Sequence, residues 1–234
     1  MAITMDLNGA TAGTTSTVSF TEQTPVLVFP SATFTANGAD NNNVDTVTVT
    51  LTGATGTESL FLDATGTSTA STNAITVNYN SGTGVLTLTG ANETNATWQS
   101  LLQHIQYNNT SDSPTGSRSL SVTATNSGGG GNTATISGNT INVTPVDDDP
   151  VNTVPGSTQV EDFTVAGDLI FSSGNGNQIS VNDVDNTTLT VTLTVSNGTL
   201  TLNGTSGLSF TTGDGAGDAT MTFSGTQPAP STPH

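Results

Sequence analysis

The residues of this chain best suited to chemistry are carboxylates gathered in loops. Asp147, Asp148 and Asp149 are consecutive, and Asp183 and Asp185 have the alternate spacing that puts two side chains on one side of an extended strand. Calcium takes six to eight oxygen ligands from flexible loops, with carboxylates supplying most of the charge. Because neighbouring side chains on an extended chain point apart, we expect Asp147 and Asp149 to share one ion. Asp148 would then serve a second ion or a neighbouring module.

The charge balance of the chain creates a need for bound cations. The 234 residues include 18 acidic residues and only one basic residue other than histidine, Arg118, which gives a formal net charge of −17. Such a chain repels nucleic acid and anionic lipid, so we expect neither as a partner. With no Lys and no Cys, neither an isopeptide bond nor a disulfide can cross-link it. Bound divalent ions are then the remaining means of stabilising the folded chain by cross-linking it. The alternative is that the negative charge only keeps the protein soluble.

The sequence offers little for catalysis or membrane insertion. A Ser-His-Asp site would have to use His104, which is more readily interpreted as a structural histidine, since His234 is the terminal residue. Paired carboxylates that cleave sugars normally lie in an aromatic-lined cleft, and the chain has one Trp. No apolar stretch approaches the roughly 18 residues that cross a bilayer, and no signal peptide opens the chain. We therefore expect neither an enzyme nor a membrane-inserted protein.

The elements that must position these carboxylates are predicted to be strands. Apolar residues alternate with Thr in Val47–Leu51 and in Leu189–Val195, which places one face on a core and the other in water. One segment breaks this pattern: Thr94–Ile105 carries Trp98, Leu101, Leu102 and Ile105 at helical spacing. It predicts one short helix, with Thr94 or Asn95 as N-cap.

The two halves of the chain align loosely with each other. Residues 47–52 correspond to residues 189–194, and residues 85–90 correspond to residues 219–225. After that point the first half continues through the helix and further strands, whereas the second half does not. The expected division is an N-terminal arm or linker and candidate donor strand (1–18), a first β-sandwich module (19–144), an Asp/Pro-rich linker (145–156), a second, truncated module (157–226) and a disordered tail (227–234).

Four segments carry a likeness to a known family. Gln106–Leu120 and Val143–Val151 resemble the ends of cadherin-like tandem repeats of giant bacterial surface adhesins, and Asp6–Gly13 and Ile179–Asn186 look like the same family. The resemblance implies an all-β fold of tandem cadherin/Ig-like β-sandwich modules with calcium where modules meet. The family linker usually runs Val-Asn-Asp-Ala-Pro, and Asp147–Pro150 replaces it here without losing carboxylates.

The resemblance also implies a ligand set. By analogy with cadherins, Asp183 and Asp185 should meet the linker acids, and Glu22 should close the same cluster. Further metal candidates are Glu161 and Asp162 in the second module, with Asp214 and Asp218, and Asp40 with Asp45 in the first.

These inferences lead to two hypotheses of function. The first is a calcium-stabilised rod or filament segment of an exported bacterial adhesin or matrix fibre, at the cell surface or in a biofilm. Its partners would be neighbouring modules or copies of itself, joined by strand complementation with Ile3–Val18 as donor. The alternative is a carbohydrate- or ice-binding β module that uses rows of Thr hydroxyls.

Overall fold

The computed structural model describes residues 2–37, 44–91, 93–126, 132–160 and 167–227. The chain forms two compact units, Met1–Val146 and Asp147–His234, which divide within the predicted linker. Strands predominate in both units, so the expectation of an all-β protein is confirmed at this level. The elements of the first unit are β1 (Ala2–Asp6), β2 (Thr17–Thr21), β3 (Val26–Leu27), β4 (Thr33–Asn37), β5 (Thr46–Leu51), β6 (Glu58–Leu62), α1 (Ala64–Thr72), β7 (Thr76–Asn80), β8 (Val85–Thr89), α2 (Asn95–Gln103), β9 (Ile105–Asn109), β10 (Arg118–Thr125) and β11 (Thr133–Thr144).

The first unit is built on a six-stranded sheet with the order β2-β11-β10-β5-β8-β7. Its strands are antiparallel except for β2 and β11, which run parallel. A three-stranded sheet, β3-β9-β6, and a two-stranded pair, β1-β4, complete the unit. Period-two alternation sends Val47, Val49 and Leu51 of β5 into the core, where they are fully buried. Residues of all three sheets and of both helices belong to one hydrophobic core.

Helix α2 lies where the sequence predicts a helix. The Thr94 side chain accepts a hydrogen bond from the backbone N–H of Thr97 at 3.1 Å, which is the expected N-cap. Trp98, Leu101 and Leu102 are buried, so the apolar face of the helix packs against the core. Ile105, the last of the apolar residues at helical spacing, is the first residue of β9.

The expectation of a single helix was wrong, because α1 is a second one. Asp63 is its N-cap and accepts from the N–H of Gly66 at 2.8 Å. The helix is composed of Ala, Thr, Ser and Gly, so it lacks the large apolar stripe that identifies an amphipathic helix. Helix α1 instead packs closely against the end of α2: a Cβ on Gly66 would lie 2.8 Å from Cβ of His104.

The N-terminal segment also differs from the expectation of a separate arm. Strand β1 pairs antiparallel with β4 over five residues, from Ala2 opposite Asn37 to Asp6 opposite Thr33. Met5 and Leu7 are buried in the core of the first unit. The alternation of Ile3, Met5 and Leu7 therefore belongs to a strand that is already paired, since β4 is the partner of β1. The segment Ile3–Val18 is part of the first unit and does not stand free as a donor strand.

The second unit has little core. Its strands are β12 (Val151–Thr153), β13 (Ser180–Asn182), β14 (Thr188–Thr194), β15 (Ser209–Thr212) and β16 (Thr220–Thr226). They form a two-stranded pair, β12-β13, and a three-stranded sheet, β14-β16-β15. Strand β12 thus lies inside the predicted linker. Met221 is the one buried hydrophobic residue that the described part of this unit contributes. Apolar side chains that are largely exposed include Val151, Val154, Val160, Ile170, Phe171 and Ile179.

The first unit neutralises one buried carboxylate within the protein. The Glu58 side chain is fully buried and accepts from Arg118 Nε at 2.5 Å, from the Tyr107 hydroxyl at 2.7 Å and from the Thr55 N–H at 2.8 Å. Burial by itself raises the pKa of Glu58, but these hydrogen bonds outweigh it and leave the pKa below its usual value. The single Arg of the chain is therefore committed to this carboxylate.

Substitution of Arg118 should destabilise the first unit. Arg118→Met leaves Glu58 buried without its cation, which costs about 3 kcal/mol in free energy of unfolding. Urea titration followed by Trp98 fluorescence measures this, because the one Trp of the chain is buried in the first unit. The control is Glu58→Gln with Arg118→Met, which removes both charges and should recover most of the loss. A single variant as stable as the parent chain would contradict this role.

Candidate metal centre

In the second unit, β12 and β13 bring the two predicted acidic groups to the same end of a strand pair. Their antiparallel register places Val151 opposite Asn182. Asp147–Asp149 precede β12, and Asp183 and Asp185 follow β13. Residues just before one antiparallel strand lie beside residues just after its partner. The strand pair is therefore the element that positions these carboxylates.

Hydrogen bonds hold the two acidic segments together. The Asp148 N–H donates to Oδ2 of Asp185 at 2.8 Å, and the Asn186 side-chain amide donates to Oδ1 of Asp147 at 2.9 Å. Asp183 is buried, and its Oδ1 accepts from the N–H groups of Asn186 and Asp185 at 2.8 and 2.9 Å. These backbone hydrogen bonds lower the pKa of Asp183, so it stays ionised at neutral pH.

An open groove of about 380 Å³ lies beside these residues, lined in part by Asp147–Asp149, Asn152, Asp183 and Asn186. Carboxylate and amide oxygens are the donors that Ca²⁺ and Mg²⁺ prefer. Within the described part of this unit, no three carboxylates come within 4.8 Å of one another. An ion held here would therefore need backbone, amide or water oxygens to complete its shell.

In the first unit, Glu22 is a buried carboxylate that forms no ion pair with the described residues. The residue is 6% exposed and directly follows β2. Its Oε2 accepts from the Val146 N–H at 2.8 Å, whereas its Oε1 is buried and accepts no hydrogen bond from the described residues. A carboxylate oxygen of Asp112 lies within 4.8 Å of one of Glu22. Two ionised carboxylates at this distance repel each other unless a cation lies between them.

Asp112 is a residue that the sequence analysis missed. It lies in the loop after β9, and its Oδ1 accepts from the Gln23 side-chain amide at 2.7 Å. Strand β9 pairs antiparallel with β3, with Val26 opposite Tyr107. Continued past the strand ends, this register brings the loop after β9 beside Glu22. The pairing of β3 with β9 could not be predicted from the sequence, so the proximity of the two carboxylates could not be either.

Among the described residues, the other candidates, Asp45, Asp214 and Asp218, belong to no group of three carboxylates. Oδ2 of Asp218 accepts from the N–H groups of Asp214 and Gly215 at 3.0 and 2.8 Å, so these two acids shape the loop between β15 and β16. Asp45 directly precedes β5, and its N–H donates to Thr125 O at 3.0 Å. Asp40, Glu161 and Asp162 lie outside the described residues. Metal binding at all of these positions stays a prediction.

His104 has a structural partner. Its Nδ1 lies 2.7 Å from Oδ2 of Asp63, so the pair joins the residue that caps the start of α1 to the residue that ends α2. Burial raises the pKa of Asp63, but hydrogen bonds from Gly66 and His104 outweigh it and leave the pKa lowered. Neither α1 nor α2, the helices of the described residues, has the length and apolar character of a membrane span.

A scan against protein-family models and a search of curated proteins both returned no match to this chain. The likeness to cadherin-like repeats therefore rests on the residues and motifs quoted above. The functional argument rests on the geometry of the carboxylates.

Replacing Glu22 should raise the stability of the first unit without calcium and weaken calcium binding. In Glu22→Gln, the amide can donate to Asp112 and its oxygen can still accept from Val146. We therefore expect the variant to unfold at higher urea than the parent chain in EDTA, and to bind calcium about tenfold more weakly. Trp98 fluorescence and calorimetric titration measure the two effects.

Glu93→Gln is the matched control, since it removes the same charge outside the cluster. It should change neither quantity. Unaltered calcium affinity in Glu22→Gln would remove Glu22 from the site.

Proposed function

We propose that this chain is a structural, calcium-stabilised rod or filament segment of an exported bacterial adhesin or matrix fibre, built from cadherin-like β-sandwich modules. The observation that carries the proposal is the buried Glu22 carboxylate, whose Oε1 has no hydrogen-bond donor among the described residues and which lies beside Asp112. A buried charge is stable only when it is paired or coordinates a metal. The carboxylates of Glu22 and Asp112 therefore need a cation from solution to balance their charge.

The charges of the chain support a metal ion as that cation. Arg118 is committed to Glu58, and His104 is hydrogen-bonded to Asp63. The chain has no Cys and His104 is paired with Asp63, so the ligands that Glu22 and Asp112 offer are carboxylate oxygens. Oxygen ligands with negative charge and loop flexibility favour Ca²⁺ over the transition metals. Calcium is abundant outside the cell, which agrees with the predicted extracellular or cell-surface location.

The packing of the first unit supports the sandwich interpretation. The six-stranded sheet contributes Val49, Leu88 and Val122 to the core, and the three-stranded sheet contributes Leu60 and Tyr107 to the same core. Two sheets that bury alternate residues against each other are the defining feature of a β-sandwich. The likeness of the linker to cadherin-like repeats agrees with this, and modules of this kind stack into rods.

The acidic loop of the second unit supports a further calcium site. Asp147, Asp183 and Asp185 sit on segments that β12 and β13 already hold together. An ion bound there would tie the start of the second unit to its strand pair. Pro145 and Pro150 flank the linker acids and favour an extended backbone, which suits a stiff connection between modules.

The carbohydrate- or ice-binding alternative has weaker support. Such a surface needs Thr hydroxyls free to meet a ligand. Here Thr123 and Thr135 share a hydrogen bond of 3.0 Å across β10 and β11, and Thr192 and Thr222 share one of 3.0 Å across β14 and β16. These hydroxyls already contribute to cross-strand pairing.

Calcium should raise the thermal stability of the chain. An ion that binds only the folded state adds about 2.7 kcal/mol at a free concentration one hundred times its dissociation constant. Calorimetric melting in calcium and in EDTA measures this, with Mg²⁺ at the same concentration as the control for charge screening. We expect a higher melting temperature in calcium than in either control. Coincident curves in calcium and EDTA would overturn the proposal.

A further inference from the structure

The first and last strands of the large sheet in the first unit lie side by side and run in the same direction. Strand β2 pairs parallel with β11, from Thr17 opposite Thr140 to Thr21 opposite Thr144. The chain enters this pair at the start of β2 and leaves the first unit at Val146, shortly after the end of β11. The entry and the exit therefore lie at opposite ends of the pair.

The parallel direction determines how the pair carries tension. A pull on the chain before β2 and a pull on the chain after β11 act in opposite directions along the two strands. They would slide the strands past each other, so all the hydrogen bonds between the strands share the load. Strands that are pulled apart at one end instead lose their hydrogen bonds one at a time, under a smaller force.

The start of β2 is tied to β11 by a backbone and a side-chain hydrogen bond. The Thr140 N–H donates to Ser16 O at 2.9 Å. The Ser16 N–H donates to Oδ1 of Asn139 at 2.8 Å, and Asn139 is fully buried. The Asn139 amide also donates to Leu120 O on β10 at 3.2 Å. The end of β2 that tension loads first is thus connected to two strands of the sheet.

The end of β11 is tied to β2 in a corresponding way. The Glu22 N–H donates to Thr144 O at 3.1 Å. The Glu22 carboxylate accepts from the Val146 N–H at 2.8 Å. When two strands are sheared, the strain is greatest at the end where each strand is pulled. The side-chain hydrogen bonds of Asn139 and Glu22 therefore lie where the load is greatest.

Strand β11 is held more extensively on its other side. It pairs antiparallel with β10, from Arg118 opposite Ile141 to Thr125 opposite Thr133. Strand β2, by contrast, lies at the end of the sheet order, where β11 is its neighbour. Under tension, the contact between β2 and β11 is therefore the one that must break before the first unit is pulled open.

We propose that β2 and β11, with the end contacts of Asn139 and Glu22, form a mechanical clamp that lets the first unit resist tension along the chain. Resistance to force depends on the barrier to unfolding and not on equilibrium stability. The hydrogen bonds of the clamp are formed within the protein, so the clamp needs no bound ion. Its biological meaning, a module that carries load in a rod or fibre, rests on the proposed structural function.

Two pulling directions test the clamp. Because the chain has no Cys, pairs of introduced cysteines provide unique handles for single-molecule force spectroscopy of the full chain. Thr15→Cys with Val146→Cys loads β2 and β11 in shear. Thr24→Cys with Val146→Cys is the matched control, since it pulls at the same end of both strands, and all three positions are exposed. At one loading rate we expect a severalfold higher unfolding force in shear. Equal forces in the two directions would overturn the inference.

A pair of proline variants tests the hydrogen bonds of the clamp. Ser16 O and the Glu22 N–H both face β11. Because backbone direction alternates along a strand, the Val18 N–H also faces β11, whereas the Ser19 N–H faces away. In the shear direction Val18→Pro should lower the unfolding force, and Ser19→Pro should leave it nearly unchanged. Equal forces for these two variants would count against the clamp. Trp98 fluorescence in urea shows that each variant is folded, and the two pulling directions decide alone if one is not.

The pulling experiments are made in calcium and in EDTA. A higher force in shear under both conditions supports the clamp. If that result comes without a calcium effect on melting, the clamp stands and the calcium proposal fails. If calcium raises the melting temperature but the two pulling directions give equal forces, the clamp fails and the calcium proposal stands.

Discussion

A folded chain can bury a carboxylate only if something compensates its charge, and this chain carries almost no cation with which to do so. Glu58 uses Arg118, the single basic residue other than histidine, together with hydrogen bonds from Tyr107 and Thr55. Glu22 is buried as well, but its Oε1 meets no donor in the described part of the chain, and Asp112 adds a second negative charge nearby. The contrast between the two glutamates is the physical basis for expecting an ion from solution.

Much of the fold could be predicted because its signals are local. The alternation in β5 and β14 identifies strands, and the spacing of Trp98 and Leu102 identifies α2. Helix α1 could not be predicted, since its Thr-, Ser- and Gly-rich sequence has no apolar period. The place of β1 depends on its long-range pairing with β4, and the sequence pattern does not specify partners.

The residues of the candidate site also fall into those that the sequence predicts and those that only the structure reveals. Spacing within each loop predicts Asp147 and the pair Asp183 and Asp185 as candidates, and the resemblance to cadherin-like repeats implies that the two loops meet. The pairing of β12 with β13 is what holds their segments together. Asp112 became visible only through the register of β3 against β9. Residues within one loop can thus be grouped from sequence, whereas residues that meet through sheet register need a family resemblance or the structure itself.

The central claim is that the folded chain holds calcium. The most direct measurement is the calcium content of the purified chain after equilibrium dialysis against buffered calcium with excess Mg²⁺, determined by elemental analysis beside a dialysate blank. The account predicts one or more calcium ions retained per chain, and their release when the protein is unfolded in urea. Calcium no higher in the protein sample than in the blank would contradict it.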